Sequence, residues 1–270
     1  MKIKPLEEID VKRAIDIKGK NRFVIASSVG GTVKVFRWDG YDIIYPHTIK
    51  KKKVGKFKTK KKWRGGIPIC FPFFGPPIKK YEGRIPQHGW LRTQNLKADQ
   101  ENDQRLRFSG INCRGSEYNY GFWLTQAVTV ELSERKGLEV MLLVTKPHQE
   151  GEKPGKPWKA PANPAFHPYF SNLGNRSVKI GKEVITEFNK KAVILPVEKK
   201  NIFIDLGAKK VRMTVTCNLK LKPYYVALWS DSKDYFCVEP ILDHPSKVGT
   251  KEERGFKKFF QMKIALKVIK

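Results

Sequence analysis

No run of about 18 or more consecutive apolar residues occurs in this 270-residue chain, so a membrane-spanning helix is not expected. Residues 1–20 contain no apolar stretch resembling a secretory leader, and residence in the cytoplasm is the expectation. Cysteine is scarce. Cys70, Cys113, Cys217 and Cys237 are scattered without CxxC spacing, which leaves a zinc site or a dithiol redox motif unsupported. Cys217 and Cys237 sit inside apolar alternations and read as buried core thiols. No glycine-rich phosphate loop is present, so a nucleotide site is not expected. A sustained 3.6-residue period is also missing, apart from one short candidate helix around Leu6 to Ile17. No internal repeat or low-complexity linker divides the chain, and a single domain over residues 1–270 follows.

Acidic residues are the other shortage. The chain has 26 Asp and Glu against 54 Lys and Arg, a formal net charge of +28. Three readings fit this surplus: a nucleic-acid binder, a lysine-laden surface adapted to heat or an unusual cytoplasm, or a protein with an anionic small substrate such as a sugar phosphate. The excess is mostly lysine and runs along the whole chain, with concentrations at Lys50 to Lys53 and Lys58 to Lys62. No zinc-finger, RNP-type or helix-turn-helix pattern accompanies it, so specific nucleic-acid recognition is not expected.

Strand-like sequence dominates what is there. With 40% apolar and 11% aromatic residues, the chain can bury a substantial core. Short β-branched and aromatic runs at Phe23 to Ser28, Thr32 to Trp38 and Tyr41 to Tyr45 are separated by Gly-Gly or Asp-Gly turns. Leu124 to Leu132 and Leu138 to Val144 read as a hairpin. In Val211 to Cys217, Val, Met, Val and Cys alternate with Arg and Thr, the period of a half-buried strand. Lys258 to Ile269 reads as a strand that closes a sheet. The proline-rich passages Pro72 to Pro77 and Pro147 to Pro164 must be loops or edge segments, because proline has no N–H for a ladder. The fold class predicted is all-β: a large antiparallel β-sandwich with few short helices and the chemistry on loops at one rim.

Two positions are of chemical interest in themselves. His167 lies in AFHPYF, among aromatics, where an imidazole serves either structure or catalysis. Glu239 ends the apolar run YFCVEP, where a carboxylate is costly unless paired. It reads either as a carboxyl of raised pKa, suited to acid or base work, or as a strand end turned to solvent. His88 sits beside Gln87 and Gly89 in a polar segment that leads to Arg92.

Four strings, taken together and in this order, resemble the signature segments of the aldose 1-epimerase (mutarotase) family, in its hexose-phosphate branch: RGGIPICFPFFG (Arg64 to Gly75), PQHGWLR (Pro86 to Arg92), NPAFHPYF (Asn163 to Phe170) and YFCVEP (Tyr235 to Pro240). The similarity runs in segment order from about Val24 to the C-terminus. The resemblance implies a galactose mutarotase-like sandwich. It also implies that Arg64, Gln87 and Arg92 bind a sugar phosphate, that His88 lines the pocket, that His167 is the general acid, and that Glu239 is the general base. Neither a metal nor another cofactor is implied, since ring opening needs only proton transfers, and a monomer is the simplest assembly. One departure stands out. Where family members carry an aspartate that bonds a sugar hydroxyl, this chain has Lys200 or Asn201 within EKKNIF, with Asp205 and Asp231 as nearby substitutes. Two further functions are kept beside the mutarotase: a non-catalytic carbohydrate-binding module on the same sandwich, motivated by that departure and the irregular Pro147 to Pro164 segment, and non-specific polyanion binding, motivated by the lysine excess.

Overall fold

The computed structural model describes residues 12–17, 19–54, 58–76, 85–112, 124–145, 160–219, 224–248, 250–251, 255–256 and 258–269. Two large antiparallel sheets account for most of them. The first has ten strands. Its main path runs Lys12–Ile17, Arg22–Ser27, Val33–Trp38, Tyr41–Ile44, Tyr169–Ser171, Tyr235–Ile241, Ala165–Phe166 and Ile69–Cys70, while Tyr224–Trp229 and Val193–Val197 branch from Tyr235–Ile241. The second has nine strands, in the order Glu183–Ile185, Ser177–Ile180, Asn201–Asp205, Lys210–Cys217, Phe259–Ile269, Gly137–Thr145, Leu124–Ser133, Arg105–Asn112 and Lys97–Asn102.

The nine-stranded sheet follows directly from alternation. In Gly137–Thr145, Leu138, Val140, Leu142 and Val144 are buried while the residues between them stay half-buried. Cross-strand ion pairs line the outer face, with Lys263 Nζ 2.7 Å from Glu139 and Arg105 Nη2 2.6 Å from Glu131. The inner faces of both sheets contribute to one continuous core. Phe36, Phe170 and Phe236 come from the ten-stranded sheet, and Phe108, Met262 and Ile264 from the other. Each such side chain contributes about 1.5–3 kcal/mol by leaving water.

Several expectations need correction. Lys12–Ile17, the described part of the candidate helix, is an edge strand paired with Arg22–Ser27, and residues 6–11 lie outside the described residues. Among the described residues the only helical turns are two 3₁₀ turns, Leu91–Thr93 and Pro245–Lys247. Cys217 is only half-buried, at the end of its strand, whereas Cys237 is fully buried; Cys113 lies outside the described residues. The lysine concentrations form a two-stranded sheet of their own, Thr48–Val54 paired with Lys58–Arg64. The alternation reading had no purchase there, because lysines fill consecutive positions. Of the second proline-rich passage, 147–159 lie outside the described residues, and Ala160–Pro161 pairs with Gly255–Phe256 as a short edge ribbon. No helix among the described residues is long and apolar enough to cross a membrane.

Candidate active site

The ten-stranded sheet brings three of the four strings side by side. Ile69–Cys70 pairs with Ala165–Phe166, which pairs in turn with Tyr235–Ile241. Ala165 stands opposite Ile241 and Tyr169 opposite Cys237, so His167, midway between them, falls opposite Glu239. Proline supplies the interruption. Pro168 has no N–H to donate, and the strand breaks at His167 and Pro168 into two short pieces. The His167 N–H instead donates to Pro68 O at 2.9 Å, and the Tyr169 N–H to Gly66 O at 3.0 Å. The chain therefore clamps the imidazole from the neighbouring string.

Glycines permit the close approach. Gly65 has φ +88°, and a Cβ there would lie 2.3 Å from Pro46 O. Gly89 has φ +75°, and its Cβ would lie 2.0 Å from Phe71 O. The Gln87–His88 turn is closed by the Gly89 N–H donating to Pro86 O, with His88 itself at φ +64°. Two further bonds hold this turn over the first string: the His88 N–H donates to Gly75 O at 2.9 Å, and the Gly75 N–H donates to His88 Nδ1 at 3.2 Å. Nδ1 is thus an acceptor, which leaves the proton of the neutral ring on Nε2.

The result is a cleft of about 750 Å³, a volume in the usual range for a small-molecule site. Arg64, Gln87, His88, Arg92, His167 and Glu239 all line it. His167 Nε2 lies 3.4 Å from Glu239 Oε1, and both side chains are almost wholly buried. Trp229, one strand over, donates its indole N–H to the same Oε1, while Ala227 stands directly opposite Glu239. Among the described residues, Glu239 Oε2 and His167 Nδ1 have no hydrogen-bond partner. His167 stacks on Tyr169, with ring centroids 4.7 Å apart, and meets His88 edge-on at 5.5 Å.

Burial sets the electrostatics. It pushes the Glu239 carboxyl well above the usual carboxylate range, against the opposing pull of the Trp229 N–H. It pushes His167 well below the usual imidazole value, with His88, Arg92 and Arg64 adding to the effect. His88 is lowered to about 3, first by burial and then by Arg92 and Arg64. Burial therefore favours the pair with its proton on the carboxyl, beside a neutral imidazole.

The cations differ in freedom. Arg64 Nη2 lies 2.6 Å from Asp231 Oδ2, its Nε donates to Asp231 Oδ1 and its Nη1 to Trp63 O. Tyr235 OH also donates to Asp231. The guanidinium fork of Arg64 is thus occupied by a carboxylate, and its face lies over Trp229. Arg92 has no carboxylate within ion-pairing reach among the described residues. Lys190 adds a further cation to the cleft wall.

The departure at Lys200 and Asn201 also finds its place. Asn201 begins a strand of the nine-stranded sheet and accepts a bond from Thr214 Oγ1, outside the cleft. Asp205 accepts the Gly207 N–H in a turn. Of the two substitutes considered, Asp231 alone reaches the site, through Arg64. Of the aromatic residues in the strings, Phe74 and Tyr169 line the cleft, whereas Phe71, Phe73 and Trp90 belong to the main core. Trp229 went unnoticed in the sequence. Its signal was weak: a tryptophan on the alternating face of a strand that leads to the polar segment Ser230 to Asp234.

Among the described residues, one group has the composition of a metal site: His167, Cys237 and Glu239, whose ligating atoms lie within 4.8 Å of one another. Arg64 and Arg92 beside it disfavour a cation, and burial raises the pKa of the Cys237 thiol, which keeps it protonated. The set suits proton sharing better than metal binding.

Comparison with known proteins agrees with this architecture. A 69-residue stretch is 36% identical to a candidate glucose-6-phosphate 1-epimerase of Salmonella typhimurium, covering 25% of this chain and 22% of that protein. A galactose mutarotase-related enzyme from Lactobacillus acidophilus superposes with a TM-score of 0.71 at 14% identity, over 96% of this chain and 98% of that one. A Synechocystis protein, Slr1438, superposes with a TM-score of 0.70 at 17% identity, over 96% and 95%. At such identities the superpositions establish the fold alone. The sequence profile of aldose 1-epimerase, however, matches residues 13–221, well over half the chain and three of the four strings, and on that match the chain belongs to the aldose 1-epimerase family.

Proposed function

We propose that the protein is a mutarotase that interconverts the α and β anomers of an aldohexose 6-phosphate, with Glu239 as base and His167 as acid. The observation that carries this reading is their contact at 3.4 Å, buried, in the lining of a cleft large enough to hold a sugar phosphate. The anomeric hydroxyl and the ring oxygen are bonded to the same carbon. Acid and base therefore need to be neighbours rather than to stand at opposite edges of the sugar.

The proton inventory is consistent. In the reactive form Glu239 is a carboxylate and His167 an imidazolium. Glu239 takes the proton of the anomeric hydroxyl, His167 gives one to the ring oxygen, and the bond between that oxygen and the anomeric carbon breaks to leave an aldehyde. The pair ends with the proton on Glu239 and His167 neutral, the distribution that burial favours. Rotation about the adjacent carbon–carbon bond and the reverse transfers close the other anomer. Each positioned proton transfer is worth about a hundredfold or more in rate.

Phosphate binding falls to Arg92, with Gln87 beside it and Lys190 at the wall, because Asp231 already occupies the fork of Arg64. Arg64 then acts by positioning: it buttresses Trp229, which bonds the catalytic carboxylate. The same occupied fork favours a second reading, a mutarotase for an unphosphorylated aldose. Saturation-transfer NMR of anomer exchange separates the two. Glucose 6-phosphate is expected to exchange far faster than glucose, and Arg92→Ala is expected to raise KM for the phosphate ester while leaving glucose unaffected. Undiminished exchange in both Glu239→Gln and His167→Ala would remove the enzyme assignment and leave a sugar-binding module.

A further inference from the structure

The ribbon formed by Thr48–Val54 and Lys58–Arg64 plays no part in either large sheet. Its register sets Lys50 opposite Lys62, Lys51 opposite Lys61 and Lys52 opposite Lys60. Like charges directly across a sheet are destabilising, and an isolated two-stranded ribbon is marginal even without them. The sequence places no acid nearby in the chain: Asp and Glu are absent between Asp42 and Glu82, a span that holds nine lysines between Thr48 and Arg64 alone. A chain that only needed a soluble surface would intersperse the signs, as the outer face of the nine-stranded sheet does with Lys263 and Glu139.

We infer that this ribbon is a binding element for duplex nucleic acid, gripping the phosphate backbones without reading sequence. Two features favour a duplex over a flat anionic membrane. Successive residues alternate faces, so Lys50, Lys52, Lys58, Lys60 and Lys62 share one face while Lys51, Lys53 and Lys61 share the other. A ribbon that is cationic on both faces suits a groove walled by phosphates on two sides, whereas a membrane would be met by one basic face. The B-form major groove, about 12 Å wide, admits a two-stranded β-ribbon. The charge spacing also matches. Each register step of about 3.4 Å carries two lysines, one charge per ~1.7 Å of ribbon, which is the axial charge spacing of duplex DNA. The absence of any base-reading motif makes the contact non-specific. The inference stands apart from the mutarotase reading and does not depend on it.

The test is a titration of the full chain with a 30-base-pair DNA duplex of arbitrary sequence over a range of NaCl concentrations. Six paired lysines on phosphates predict a slope of log K against log salt of about −5. The ribbon variant Lys51→Gln, Lys52→Gln, Lys60→Gln, Lys61→Gln is expected to lose about 3 to 4 of that slope and to bind at least about tenfold more weakly near 50 mM salt. A control variant removes the same charge from exposed lysines elsewhere, as Lys12→Gln, Lys182→Gln, Lys191→Gln, Lys199→Gln, and is expected to keep most of the slope. Equal losses in the two variants would trace binding to net charge and overturn the assignment. So would no binding by the parent chain at 50 mM salt, or binding to phosphatidylserine vesicles without binding to the duplex. Thermal melting checks that both variants fold. The ribbon variant is expected to melt no lower than the parent, since it loses two like-charged pairs.

Discussion

The two large sheets use the same chemistry of pairing to opposite ends. The nine-stranded sheet is built on long, uninterrupted ladders: Leu124–Ser133, Gly137–Thr145 and Phe259–Ile269 run 10, 9 and 11 residues. Around the cleft the ten-stranded sheet is made of fragments, with Ile69–Cys70, Ala165–Phe166 and Tyr169–Ser171 only 2, 2 and 3 residues long. Fragmentation creates the site. A continuous ladder would commit every backbone group near His167 to its neighbours and leave no hollow. The break at Pro168 frees one position, and the flanking pairs fix it opposite Glu239. The strand Tyr235–Ile241 belongs to both regimes. Phe236 and Val238 face the common core, while Tyr235, Cys237 and Glu239 share the opposite face, where Glu239 lines the cleft and Tyr235 and Cys237 pack beside it against Tyr169.

That division predicts separable failures, and the largest lies in the regular sheet. Leu142→Ala removes a fully buried side chain from the middle of the long ladders and is expected to cost about 2–5 kcal/mol of stability. Anomer exchange per folded molecule should not change. Glu239→Gln is expected to show the reverse: a loss of about a hundredfold or more in exchange with an unfolding midpoint near that of the parent. Burial favours the protonated carboxyl, and the amide replaces that neutral group by another of similar shape. Denaturant titration and saturation transfer on the same preparations decide the matter. A variant that lost both properties together would show that the two sheets are not independent in the way proposed.

A smaller effect sharpens the boundary between the regimes. Trp229 lies on a regular strand, yet its indole N–H reaches diagonally to the Glu239 carboxyl. That donor favours the ionised carboxylate, the form the proposed reaction needs. Trp229→Phe keeps an aromatic ring and deletes the donor. The carboxyl pKa then rises further, the imidazolium–carboxylate form becomes rarer, and kcat is expected to fall about tenfold, one charge-assisted hydrogen bond's worth. The alkaline limb of the rate profile should move to higher pH, because the last proton of the pair is held more tightly. A fall in kcat with no movement of that limb would assign Trp229 a packing role only.

The same contrast explains what the sequence disclosed. Long ladders announce themselves by alternation, which is why Leu124 to Val144, Val211 to Cys217 and the C-terminal strand were legible residue by residue. Fragments of two or three residues carry no period. They were legible only within the four strings that resemble a known family, whose glycines and prolines the geometry demands, such as Gly89 against Phe71 O and the proline after His167. The edge strand Lys12–Ile17 was misread as helix because Ala14 and Ile15 after Val11 fit a helical spacing in so short a window, and only the partner Arg22–Ser27 settles the choice. The ionic lock of Asp231, Arg64 and Tyr235 joins positions 167 residues apart, and no local pattern foretells such a pairing.

The smallest effect concerns His88, on the turn that closes the cleft. In the folded chain its ring stays neutral until the pH falls to about 3, whereas in the unfolded chain it takes a proton near pH 6.5. Between those values the unfolded state binds the extra proton, so stability must fall as the pH is lowered through this window. The slope due to one such group is at most about 1.4 kcal/mol per pH unit. His88→Asn isolates it. Asparagine tolerates a left-handed backbone at φ +64°, and its side-chain oxygen can still accept the Gly75 N–H, but it does not titrate. Urea unfolding of the variant between pH 4 and 7 is expected to show a shallower loss of stability than the parent, with the residual slope carried in part by His167, which burial also keeps neutral. Because Arg92 and Arg64 contribute to the shift, added phosphate near them should raise the pKa of His88 and flatten the parent's slope toward that of the variant. A parent and variant with identical pH dependence would mean that the turn lets water reach the ring, and the fragmented sheet would then be less sealed around its chemistry than the cleft geometry requires.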